Sequence, residues 1–113
     1  MSERTIQREI IKALKQIGVS YAHVPNGAHL AGGKESRFKQ MGALKGDGLY
    51  PGFPDLIIWR KGNVAFLEVK DVNGKPTDNQ TACHAHMRAD GLLVAIVRSA
   101  DEAIETVKKW GMV

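Results

Sequence analysis

The sequence predicts an α/β domain: a small mixed β-sheet flanked by helices, in the order α-β-(α)-β-β-α-β-α. Three observations carry this. Segments with apolar residues at helical spacing are interleaved with short apolar runs of strand length. Two of those runs are separated only by Arg60-Lys61-Gly62-Asn63, a turn that makes them a hairpin. The chain has 113 residues, 43% apolar and 25% charged, which fits one domain over residues 1–113 with a single modest core.

The first helix starts at Ser2, whose hydroxyl suits an N-cap. Ile6, Ile10, Ala13, Leu14 and Ile17 form its apolar stripe, and Gly18 ends it. Val19 to Val24 reads as a short strand before Pro25-Asn26-Gly27. Residues 28–52 are the least regular and contain six glycines. A short helix over Ser36–Leu44 is expected there, with Phe38, Met41 and Leu44 turned inward. Asp55 to Trp59 and Val64 to Lys70 are the hairpin strands. Thr77 opens the next helix with Gln80 three residues on, the spacing of a capping box, and Asp90-Gly91 closes it. Leu92 to Arg98 is a continuous apolar strand of the kind buried on both faces. Ser99 caps the last helix, whose stripe is Ala103, Ile104, Val107 and Trp110.

Composition excludes several classes. One cysteine, Cys83, leaves no disulfide framework and no multi-cysteine zinc module. No run approaches the roughly 20 apolar residues that span a bilayer, and the start is amphipathic rather than a signal core. The expectation is a soluble, cytoplasmic protein with no membrane partner. The net charge is +4, and all of it lies in the first half. Residues 1–50 hold eight Lys and Arg against four acids, whereas residues 51–113 hold eight of each. Lys34, Arg37, Lys39 and Lys45 are part of that excess. They read either as a solvated helix face or as an arm facing phosphates.

Chemistry concentrates on the hairpin. Strand alternation puts Glu68 and Lys70 on one face with Phe66, and Leu67 and Val69 on the other. Asp55 opens the partner strand, so it lies at the same end as Glu68 and Lys70. Two carboxylates from neighbouring strands can share a hard cation, with the Val69 backbone carbonyl as a third oxygen. Lys70 beside them can position a water or neutralise a pentacovalent phosphate. The alternative is a surface ion pair worth about 0–1 kcal/mol.

Gly52-Phe53-Pro54-Asp55-Leu56, Phe66-Leu67-Glu68-Val69-Lys70 and Thr77-Asp78-Asn79-Gln80 together resemble the PD-(D/E)XK nuclease superfamily. Within it the sequence is most similar to the VRR-Nuc branch, of the stand-alone, Holliday-junction-resolvase-like kind. The resemblance implies a restriction-endonuclease-like core and metal-dependent hydrolysis of DNA phosphodiesters with Mg²⁺ or Mn²⁺. Branched DNA such as a four-way junction is the implied substrate, and a homodimer the implied assembly. It implies Asp55, Glu68 and the Val69 carbonyl as metal ligands and Lys70 as the catalytic lysine. It also assigns Glu9 to the helix-one glutamate that holds the metal or its waters, and Gln80 to the glutamine at the edge of the site. Asn26-Gly27 matches an Asn-Gly after the first strand, and Asn26 joins Lys34, Arg37, Lys39 and Lys45 as a candidate DNA contact. Two other readings stand beside this one: a non-catalytic nucleic-acid-binding module, and a nuclease directed at RNA.

The histidines carry less. His84 and His86, two apart on a helix, diverge by about 200° and cannot chelate one ion. They read as surface or packing residues. His23 and His29 flank Asn26-Gly27 as polar groups. Tyr21, Tyr50, Phe53 and Trp59 read as core or dimer surface.

Overall fold

A computed structural model describes residues 1–25 and 31–113. Its elements are α1 (Glu3–Ile17), β1 (Ser20–His23), α2 (Lys34–Gly46), β2 (Leu56–Arg60), β3 (Asn63–Val69), α3 (Asp78–Ala89), β4 (Leu93–Val97) and α4 (Ala100–Lys109). The strands form one sheet in the order β1-β2-β3-β4. The first two pairings are antiparallel, and β3 with β4 is parallel through the α3 crossover. The predicted order of elements and the mixed sheet are both present.

Local chemistry sets the boundaries. The Ser2 hydroxyl accepts from the Thr5 amide, and Gly18 adopts the left-handed conformation (φ 78°) that closes α1. The Arg60 guanidinium donates to the Ile17 carbonyl at 2.8 Å, placing a cation at the helix C-terminus. Lys61 and Gly62, both at positive φ, make the two-residue turn between β2 and β3. Thr77 and Gln80 form the reciprocal capping box on α3.

Strand alternation divides the core. Leu56, Ile58, Ala65, Leu67 and Val69 point to one face, where Ile6, Ile10, Leu14, Ala103 and Val107 of α1 and α4 cover them. Phe66 and Val94 point to the other, against Cys83 and Met87 of α3. The domain is thus a three-layer α/β/α arrangement, and Glu68 belongs to the α3 face.

Two local expectations are corrected. Phe38 is 81% exposed, and α2 buries no residue. The helical spacing there is real, but among the described residues no layer covers that face. On β4, Leu93 remains 41% exposed because this is an edge strand paired only with β3.

Candidate active site

The hairpin register pairs Leu56 with Leu67. Continued by one residue, it sets Asp55 against Glu68. The Val69 amide, left without a β2 partner where β2 ends, donates to Asp55 Oδ2 at 2.7 Å and orients that carboxylate. The Asp55 carbonyl accepts from the Val24 amide, which ties the same residue to the end of β1. Asp55, Glu68, Lys70 and Gln80 line one cleft of about 360 Å³, together with Pro51, Gly52 and Phe53.

Gly52 is required for that cleft to exist. Its φ is 85°, and a Cβ there would collide with the Asn79 carbonyl and lie 2.6 Å from Gln80 N. The segment before Asp55 therefore lies directly on the first turn of α3. Tyr50 fastens it further through a 2.9 Å hydrogen bond between its hydroxyl and His86 Nδ1. On the opposite rim, Arg98 Nη1 donates to the Asp71 and Gly74 carbonyls, 2.6 Å each, and holds the loop that follows Lys70.

Glu68 is only 1% exposed. Burial pushes its carboxyl up to about 9, and the neighbouring Asp55 carboxylate adds to the effect while Lys70 opposes it. His84 Nε2 lies 3.3 Å from Glu68 Oε1. Burial lowers the His84 imidazole, which favours its neutral form. In that form Nε2–H can donate to an ionised Glu68 and fix the carboxylate. Sequence reasoning missed this role for His84. The signal that exposes it is alternation, since Glu68 faces the α3 layer.

The helix-one carboxylate in the cleft is Glu3, not Glu9. Glu3 precedes Ile6, Ile10 and Leu14 by three, seven and eleven residues, so it continues the buried stripe. It lines the cleft, and its Oε1 is 3.8 Å from Lys70 Nζ. Glu9 lies about 100° around the helix from Ile10 and is exposed. Gln80 does two jobs: its Oε1 accepts from the Thr77 amide at 2.9 Å, and its side chain lines the cleft.

Lys34, Arg37, Lys39 and Lys45 are all exposed on α2, and none lines a cleft around Asp55. Asn26, Gly27 and His29 lie outside the described residues. The two α3 histidines go to different partners, Glu68 and Tyr50, as their divergence requires.

Among the described residues no three His, Cys, Asp or Glu side chains converge as a metal cage. The donor set instead fits a hard cation that keeps several waters and takes one or two carboxylates. A buried carboxyl facing a second carboxylate, with a lysine beside them, is the arrangement such a cation neutralises.

A model of the VRR-NUC domain matches residues 1–101. The chain belongs to the VRR-NUC domain family. A solved structure titled "VRR_NUC domain" superimposes with a TM-score of 0.67 at 21% identity, covering 96% of each chain. Another, a "VRR_NUC domain protein", gives 0.73 at 19% identity, covering 97% of this chain and 88% of its own. At these identities the likeness is one of fold. No curated protein matches the chain. Membership makes this a nuclease-type domain. No helix among the described residues is long and apolar enough to cross a membrane.

Proposed function

We propose that this VRR-NUC domain is a metal-dependent endodeoxyribonuclease that hydrolyses phosphodiester bonds in branched DNA such as four-way junctions. One observation carries the reading: a buried Glu68 set against Asp55 across the hairpin, with a buried Lys70 lining the same cleft. Asp55, Glu68 and the Val69 carbonyl would hold Mg²⁺ or Mn²⁺, with Glu3 near enough to hold its waters. The bound cation would supply Lewis acidity at the phosphate and a more acidic water.

The chain's own residues do the rest. The Val69 amide and His84 keep the two carboxylates in place. Lys70, steadied by Glu3, brings positive charge to the scissile phosphate and orients the attacking water. The Gln80 amide nitrogen, free of the helix cap that uses its oxygen, can donate to a phosphate oxygen or that water. As the water oxygen bonds to phosphorus, the sugar oxygen leaves and takes up a proton.

A homodimer would set two such sites against two phosphates of a junction. Trp59 and Val64, paired across the hairpin and roughly half exposed, supply an apolar patch for it. Sedimentation of Trp59→Glu against the parent tests this, with the variant expected to be monomeric.

The decisive experiment is a cleavage panel with Mg²⁺ or Mn²⁺ over four-way junctions, flaps, duplex, single strands and matched RNA. Asp55→Asn, Glu68→Ala and Lys70→Ala are each expected to abolish cleavage while leaving the circular dichroism spectrum unchanged. Full turnover by any of the three refutes the assignment. Cleavage confined to RNA would move the substrate and keep the chemistry.

A further inference from the structure

A second cleft of about 710 Å³ opens on the other side of Asp55. It shares Glu3 and Asp55 with the first cleft and adds Arg4, Arg8, His23 and Val69. Its basic wall is part of a longer pattern. Arg4, Arg8, Lys12 and Lys15 recur at four, four and three residues, so they form one stripe along the exposed face of α1. This is half of the basic residues in the positive half of the chain, and the other half is on α2.

Three features separate this stripe from an ordinary solvated face. Among the described residues Arg4, Arg8 and Lys12 form no salt bridge, so their donors are not committed to a carboxylate. Two of them wall a cleft, where a low-dielectric surface concentrates their field. That cleft meets the first one at Glu3 and Asp55. The exposed Glu9 lies about 100° and 140° around α1 from Arg8 and Arg4, so it leaves the two arginines at the cleft alone, although it neighbours Lys12 three residues on.

We infer that the Arg4–Arg8–Lys12 face of α1 is the track for the nucleic-acid backbone leaving the cleavage site. This rests on the nuclease reading above and names the surface through which that site holds its substrate. Arg4 to Lys12 covers about 12 Å of helix, the length of roughly three nucleotides of one strand. The phosphate at Asp55 is then followed by phosphates held first by Arg4, then Arg8, then Lys12. His23 borders the track without crossing it. Its Nδ1 is within hydrogen-bond reach of the Asp55 carbonyl, at 3.1 Å, and of the Gln7 amide, which leaves Nε2 for the strand. The arginines suit this work because each guanidinium offers a planar fork of donors to phosphate oxygens.

The test is equilibrium binding of a fluorescent four-way junction and duplex to protein carrying Asp55→Asn, which keeps the DNA intact. Affinity is measured between 50 and 300 mM salt, conditions in which phosphate contacts set the slope (about 0.9 per contact). Adding Arg4→Ala and Arg8→Ala together is expected to lower the slope by about two and weaken binding about tenfold or more at 50 mM salt. Arg4→Lys with Arg8→Lys should keep most of the slope. Lys108→Ala with Lys109→Ala, exposed on α4, is the charge-loss control and should leave it unchanged. A slope unaltered by the arginine pair, or altered no more than by the α4 pair, overturns the track while junction cleavage by the parent protein leaves the nuclease reading standing. A parent protein that neither binds nor cuts nucleic acid overturns both.

Discussion

Glu68→Gln should remove a pH dependence of folding that the parent protein carries. The folded carboxyl lies near 9, above its unfolded value near 4.5. The folded protein therefore keeps a proton that the unfolded chain has released throughout that window. Stability from this group is full below about 4.5 and declines as pH rises towards 9. His84 acts in the opposite sense at lower pH. Its folded value is depressed, so its contribution falls away as pH drops through the unfolded value near 6.5. Between pH 6.5 and 8.5 the unfolded chain sheds the last of its His84 proton in the parent and in Glu68→Gln alike, so the difference between them isolates Glu68. One proton corresponds to about 1.4 kcal/mol per pH unit, so two units set a ceiling of about 3 kcal/mol. For a domain of this size that is roughly 10 °C in Tm. The assay is thermal unfolding in EDTA at several pH values, followed by the difference between parent and Glu68→Gln. The parent should lose Tm steadily relative to the variant across this range. Saturating Mg²⁺ should abolish the parent's decline, because cation binding displaces the proton. Parallel profiles in EDTA would refute the reasoning, since a carboxyl already ionised at pH 6.5 needs no cation.

Three further perturbations separate the parts of the site. Gly52→Ala combines a strained φ with a backbone collision against Asn79, so urea denaturation should show a loss of about 2 kcal/mol or more. Glu3→Gln should weaken cleavage several-fold and slow it most at low Mg²⁺, whereas Glu9→Gln should match the parent in the same titration. Arg98→Ala frees the Asp71 and Gly74 carbonyls. Hydrogen exchange should then rise in residues 71–76, with little change at the Ile6–Leu14 core.

Much of this was readable from residue spacing. Caps and stops are local devices, so Ser2, Gly18, Thr77 with Gln80, and Ser99 mark their helices correctly. The hairpin is local too, and its turn fixes Asp55 opposite Glu68. What spacing misses is tertiary. Helical periodicity at Phe38, Met41 and Leu44 states that a helix has a face, not that another layer covers it. The choice between Glu3 and Glu9 depends on how α1 docks. Both lie near apolar neighbours, but only Glu3 extends the row formed by Ile6, Ile10 and Leu14 to the end nearest Lys70. His84 has the identity of a surface histidine and the location of a buried one. Its role follows only once Glu68 is known to face α3.

The alternation of β3 gives the hairpin turn at Lys61-Gly62 a second duty. A slip of one residue against β2 would turn Leu67 and Val69 out of the α1 layer and drive Glu68 into it. The same error would part Asp55 from its carboxylate neighbour. A mispaired hairpin is thus poorly packed and, on the proposed reading, chemically silent. For the proposed nuclease this would couple quality control to catalysis: the contact that assembles the core would also license the chemistry.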